Sequence, residues 1–206
     1  MTDLILLSTA YLPPVQYMTR FVRHGSVLIE AEENFLKQTY RNRAVILTAN
    51  GPEALVMPVV KGKNTKQRIK DLELSYDTPW QHVHWQAIVS AYQSSPFFEL
   101  LQDDFLPFYQ KKYRFLLDYN NQLLRVILDL LEIDTPVGFT EAFEAIHPKP
   151  PKAETDPTFT PVCYPQVFND RFEFIPNLSI IDLIFNCGPE SYEILAKSGG
   201  ITLPGG

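Results

Sequence analysis

The chain has 206 residues, 45% of them hydrophobic and 20% charged, so it can bury one substantial core and is not globally disordered. A net charge of −6 argues against broad nucleic-acid binding, which needs a basic surface. Two cysteines are too few for a secreted disulfide scaffold, and no apolar stretch reaches the 18 residues of a membrane span.

Leu4 to Thr9 has the length and apolarity of a strand. Its following bend, Tyr11-Leu12-Pro13-Pro14, breaks the apolar stretch, and Asp3 stands where a signal peptide is basic. A reduced, cytoplasmic setting is therefore expected. Pro14 suits a first helical position, Val15, Met18 and Val22 recur at helical spacing, and Gly25 stops the helix. Val27 to Glu30, Ala44 to Ala49 and Ala54 to Val60 are further strands. Asn50-Gly51 joins the last two as a hairpin, in a turn lengthened by Pro52 and Glu53. Leu72, Leu74 and Tyr76 alternate with polar residues, which predicts one more strand.

From Trp80 the period becomes helical. Trp85, Ile88, Val89 and Tyr92 share one face, and Phe97, Leu100 and Leu101 open a helix that Pro107 bends or divides. Residues 113–132 carry the strongest amphipathic pattern. Prolines then crowd 134–176, with Phe159, Tyr164, Phe168, Phe172 and Phe174 among them. So many aromatics predict an ordered, extended arm. Ser179 caps a short helix to Phe185, Gly188 ends it, and Pro189 begins a last one. The expectation is one α+β domain over 1–206. Its small mixed or antiparallel sheet (1–78) is packed by helices (79–133), followed by the arm (134–176) and C-terminal helices with a tail (177–206).

Two ordered series of segments resemble the WbqC-like family. One is Tyr11-Leu12-Pro13-Pro14-Val15-Gln16-Tyr17, followed by Glu30, Lys37-Gln38-Thr39-Tyr40-Arg41-Asn42-Arg43 and Pro58-Val59. The other runs from Phe174-Ile175-Pro176-Asn177-Leu178-Ser179 through Asp182 to Gly188. Trp80-Gln81-His82-Val83-His84-Trp85, Tyr92 and Pro96-Phe97-Phe98 lie between. The proline-rich arm stands where longer members insert sequence. The resemblance implies a role in O-antigen or other surface-polysaccharide biosynthesis, without a settled reaction. A transferase acting on a sugar, by acyl or aminoacyl transfer, is the function expected. A non-catalytic module that binds a ligand or a protein is the alternative.

The candidate residues carry alternatives of their own. Lys37, Arg41 and Arg43 share one side if their segment is extended, forming either an anion clamp or a solvated edge paired with Glu30, Glu32 or Glu33. The five cations from Lys61 to Lys70 are a basic loop or a solvated turn, since the earlier glycine of a phosphate loop is Met57 here. His82 and His84 diverge on a helix, so no metal site is expected. His84 is a general acid or base, or a buried histidine satisfied by a backbone carbonyl. Ser179 and Asp182 have capping-box spacing, at a helix start that also favours anions. Asp182, among apolar neighbours, is paired with Arg43 or orients His84. Cys163 and His147 lack any oxyanion-hole feature, and Cys187 is a small buried hydrophobe.

The site expected is a cleft between sheet and helices. His84 and Asp182 are its catalytic residues. Gln16, Lys37, Asn42, Arg43, Tyr92, Asn177 and Ser179 bind the substrate, an anionic small molecule such as a nucleotide-sugar. The sequence names no cofactor and leaves the oligomeric state open.

Overall fold

The computed structural model describes residues 3–60, 67–143 and 157–202. Its first unit is a strand–helix–strand crossover. Strand β1 (Leu4–Leu7) leads through helix α1 (Val15–Arg23) to β2 (Ser26–Ile29), which pairs parallel to β1 from Leu4↔Ser26 to Leu7↔Ile29. Parallel neighbours cannot be joined by a tight turn, and α1 supplies the return. The next strands form a separate antiparallel hairpin, β3 (Arg43–Thr48) with β4 (Gly51–Val56). Only Ala49 and Asn50 lie in its loop. Gly51, at φ +103°, already pairs with Thr48, so the expected longer turn is absent. Pro52 is tolerated because β4 is an edge strand.

Three helices follow, α2 (Trp80–Tyr92), α3 (Phe98–Gln110) and α4 (Leu116–Leu130). Helix α3 runs through Pro107 without dividing. The carbonyl that Pro107 cannot satisfy belongs to exposed Asp103, where water can reach it. The strand expected at Leu72–Tyr76 is instead a 3-10 turn at Ile69–Asp71 and two isolated bridges, Val59↔Leu74 and Glu73↔Phe115.

A short strand within the stretch expected to be an irregular arm, β5 (Val137–Phe139), completes the first sheet in the order β1-β2-β5, parallel to β2. The α+β class holds, with one parallel and one antiparallel sheet. Residues 157–176 carry no regular element, yet Phe159, Tyr164, Val167 and Phe174 pack on the core. Helices α5 (Ile180–Cys187) and α6 (Ser191–Ser198) close the chain. Gly188 ends α5 at φ +51°, and a side chain there would meet the Phe97 ring at 2.5 Å. The core runs from Val27 and Ile29 under the parallel sheet to Phe98, Phe105 and Phe185, whose rings meet edge-on around α5.

Candidate functional site

The loop from β1 to α1 meets the start of α5 along the free edge of β3. Pro14 and Ser179 form an antiparallel bridge, in which Val15 N donates to Leu178 O and Ile180 N donates to Pro13 O. Ser179 N donates to Val45 O on β3, and Tyr11 N donates to Tyr40 O. Two helix N-termini, each with a positive partial charge, therefore lie side by side. Gln16 and Asn177 clasp across this seam. Gln16 N donates to Asn177 Oδ1 at 2.9 Å, and Asn177 Nδ2 donates to Gln16 Oε1 at 3.1 Å. Asn177 makes the clasp at φ +59°, a conformation asparagine tolerates better than most residues. Leu12, buried at φ +39° before Pro13, is a strained position in the same loop.

Three of the expected substrate-binding residues gather here: Gln16, Asn177 and Ser179. Arg43 is half-buried, two residues before Val45 and hence on the same face of β3, with its charge close to Tyr40. The others are elsewhere. Lys37 is exposed, in a turn. Asn42 is buried, and its Nδ2 donates to Met57 O at 2.8 Å, tying β3 to the end of β4. Tyr92 is buried against Phe185, with its hydroxyl near Leu47 N. The expected cation clamp does not form. Residues 37–42 turn instead of extending, which sends Arg41 inward. Arg41 makes a two-pronged ion pair with Glu33, at 2.8 Å and 2.5 Å, and donates to Ser8 Oγ. Of the basic loop, Arg68 and Lys70 both bind Glu32, whose carboxyl is held below its usual pKa chiefly by the Lys70 hydrogen bond. Lys61, Lys63 and Lys66, like His147, lie outside the described residues.

His84 faces inward on α2 and exposed His82 faces out. The Tyr11 hydroxyl lies 3.0 Å from His84 Nδ1 and 3.0 Å from the Tyr109 hydroxyl. The ring also hydrogen-bonds the Val56 backbone carbonyl. A nitrogen facing a carbonyl must carry the proton, so Nδ1 accepts from Tyr11, and Tyr11 accepts from Tyr109. Burial pushes the His84 pKa down to about 4, partly offset by the Val56 carbonyl. Burial likewise raises Tyr11 and Tyr109. The chain of three is thus uncharged at neutral pH.

Asp182 is fully buried on α5, and two of its partners, Tyr164 and Gln166, lie in the proline-rich stretch. Its Oδ2 accepts from the Tyr164 hydroxyl at 2.8 Å and from Gln166 Nε2 at 2.9 Å. Burial raises its pKa to about 6, against the lowering effect of Tyr164, Gln166 and Tyr92. Among the described hydrogen bonds and ion pairs, none joins Asp182 to His84 or to Arg43. The capping box is not made either, since Ser179 gives no side-chain cap. Cys187 is buried, with its thiol pushed up to about 12 by desolvation, while Cys163 is exposed.

A family model for the WbqC-like protein family matches residues 9–150 and 152–194. The chain belongs to the WbqC-like protein family. The match begins directly after β1 and takes in both sides of the Gln16–Asn177 seam. The chain is also 24% identical over 228 aligned positions to an uncharacterized protein, Rv1507c, of Mycobacterium tuberculosis, covering 95% of this chain and 98% of that protein. No solved structure is significantly similar. Among the described residues, no helix is long and apolar enough to cross a membrane.

Proposed function

We propose that this WbqC-like chain is a cytoplasmic sugar-modifying transferase of surface-polysaccharide assembly, and that its substrate is an anionic, nucleotide-linked sugar. The observation carrying this reading is the clasp of Gln16 and Asn177, beside Ser179, where two helix N-termini meet. The first backbone donors there are already engaged, so attraction for a phosphate comes from the helix ends and the Arg43 guanidinium, which can form two parallel hydrogen bonds. The Gln16 and Asn177 amides suit sugar hydroxyls. His84 acts on a proton through Tyr11, its hydrogen-bond partner, and acyl or aminoacyl transfer is the reaction to assay first.

A binding module without chemistry is the second reading. It is favoured by the pKa of about 4 at His84, which leaves the ring a weak base and an uncharged one. Thermal-shift titration with nucleotide-sugars tests the first step. Saturation at a hundredfold excess over Kd adds about 2.7 kcal/mol of stability, and Arg43→Ala should abolish the shift. No shift with any nucleotide-sugar or phosphate would overturn the anion site. A measurable transfer that His84→Gln leaves unchanged would remove His84 from the chemistry.

A further inference from the structure

Residues 164–175 lie on the core without a helix or strand of their own. Such a segment has no ladder of backbone hydrogen bonds, so a few side chains decide whether it stays down. Two of them end on one carboxylate. The Tyr164 hydroxyl and Gln166 Nε2 donate to Asp182 Oδ2, at 2.8 Å and 2.9 Å. The buried Gln166 amide also grips Ile175 from both sides. Its Nε2 donates to the Ile175 carbonyl and its Oε1 accepts from the Ile175 N–H, each at 3.0 Å. One side chain thus closes the loop from 166 to 175 and ties its neck to α5. The Tyr164 and Phe174 rings meet edge-on across that neck, 5.2 Å apart. Asn177 follows two residues after Ile175. Pro176 fixes its own φ and keeps Ile175 extended, so the connection is stiff. Where Ile175 is held, Asn177 is brought to Gln16.

We infer that residues 164–175 form a strap, latched on Asp182 by Tyr164 and Gln166, and that its closure sets Asn177 in the clasp with Gln16. A proton works the latch. The titratable groups facing the carboxyl are Tyr164 on the strap, Tyr92 on α2 and Cys187 further along α5. Burial raises all three, so each is uncharged near neutral pH, and among the described residues no cation pairs with Asp182. With the strap down, the carboxyl titrates at about 6; with it open, water reaches the group and the ordinary 3.8 applies. The closed strap therefore holds the proton more tightly than the open one. Closure is favoured in acid and lost as pH rises through about 6, with opening increasing about tenfold from pH 5 to pH 7. The strap goes beyond the proposed function and rests on it only in giving the clasp a ligand.

Amide hydrogen exchange of the full chain tests this, read by NMR at pH 5 and pH 7 and corrected for the intrinsic rate. The Ile175 and Gln16 N–H groups, whose acceptors are Gln166 and Asn177, should be less protected than that of Leu123 in α4. Both should lose about tenfold in protection from pH 5 to pH 7, and Asp182→Asn should remove that loss. Gln166→Met, which lacks the amide, should lower protection at Ile175 and Gln16 by more than at Leu123. Protection equal to that of Leu123, a wild type indifferent to pH, or a Gln16 N–H unmoved by Gln166→Met overturns the strap. Should that variant not fold, the wild type decides: joint loss at both amides supports the proposal, and loss at Ile175 alone overturns the link to Asn177. UDP-glucose separates the two readings. Its binding should restore protection at both amides at pH 7, and binding without that change overturns the strap's hold on the clasp. No binding overturns the proposed function, while the exchange result on the strap stands.

Discussion

Two buried ionisable centres of this fold are built in opposite ways. Arg41 and Glu33 answer each other, with two hydrogen bonds between them and Ser8 as a further acceptor. Asp182 is held by neutral donors alone, Tyr164, Gln166 and Tyr92. The first arrangement keeps both charges and ties residue 41 to the end of β1. The second makes charge itself costly, because no cation answers it. A balanced pair serves architecture, whereas an unbalanced acid is the more natural place for a ligand or a proton to act.

Four experiments press on this contrast. The largest effect is expected from Arg41→Ala, which leaves Glu33 buried without its cation. Urea unfolding should show a loss of about 3–5 kcal/mol, and a loss below about 1 kcal/mol would mean the pair is more solvated than its burial implies. Next comes pH. The Asp182 carboxyl has a folded pKa of about 6, above its ordinary 3.8, so the folded state binds its proton more tightly than the unfolded chain does. Its contribution is full below the ordinary value and is lost as pH rises through about 6. Relative to Asp182→Asn, the wild type should lose about 2–3 kcal/mol between pH 3.5 and 7.5. A flat difference would show the carboxylate to be well solvated.

Tyr11→Phe ranks third. It strips His84 Nδ1 and the Tyr109 hydroxyl of their shared partner and should cost about 1–2 kcal/mol. Imidazole nitrogen shifts measured by NMR should move with it, and unchanged shifts would contradict the tautomer assigned here. The smallest effect is Asn177→Gly. It relieves a left-handed backbone but removes the clasp on Gln16, so a net change within about 1 kcal/mol is expected in thermal unfolding, against a larger loss for Asn177→Ala.

Much of this was legible where a repeating pattern had room to act. Helices α2 to α4 show their apolar period over 13 residues or more, and Asn50-Gly51 announced the hairpin. Strand β5 was not legible, because three residues are too few for alternation and its partner lies far back in the chain. The seam was half legible. Gln16 and Asn177 were marked as binding residues, but their contact spans 161 positions and no local rule predicts it. Asp182 was conspicuous as an acid in an apolar helix. Two of its partners were hidden in a proline-rich stretch that has no period. For Arg41 the pairing with an upstream glutamate was among the expected alternatives, and the turn at residues 37–42 decided between them.

The late arrival of β5 also bears on synthesis. Glu30 and Thr140, joined by a hydrogen bond at the ends of β2 and β5, are separated by 110 positions. At about 5–20 residues per second, the β1–α1–β2 unit leaves the ribosome roughly 5–20 s before the strand that covers the open side of β2. Throughout that interval β2 presents a bare row of backbone donors and acceptors, the kind of edge that recruits wrong neighbours. A nascent chain stalled before residue 137 should therefore be markedly more chaperone-dependent than one released past residue 140.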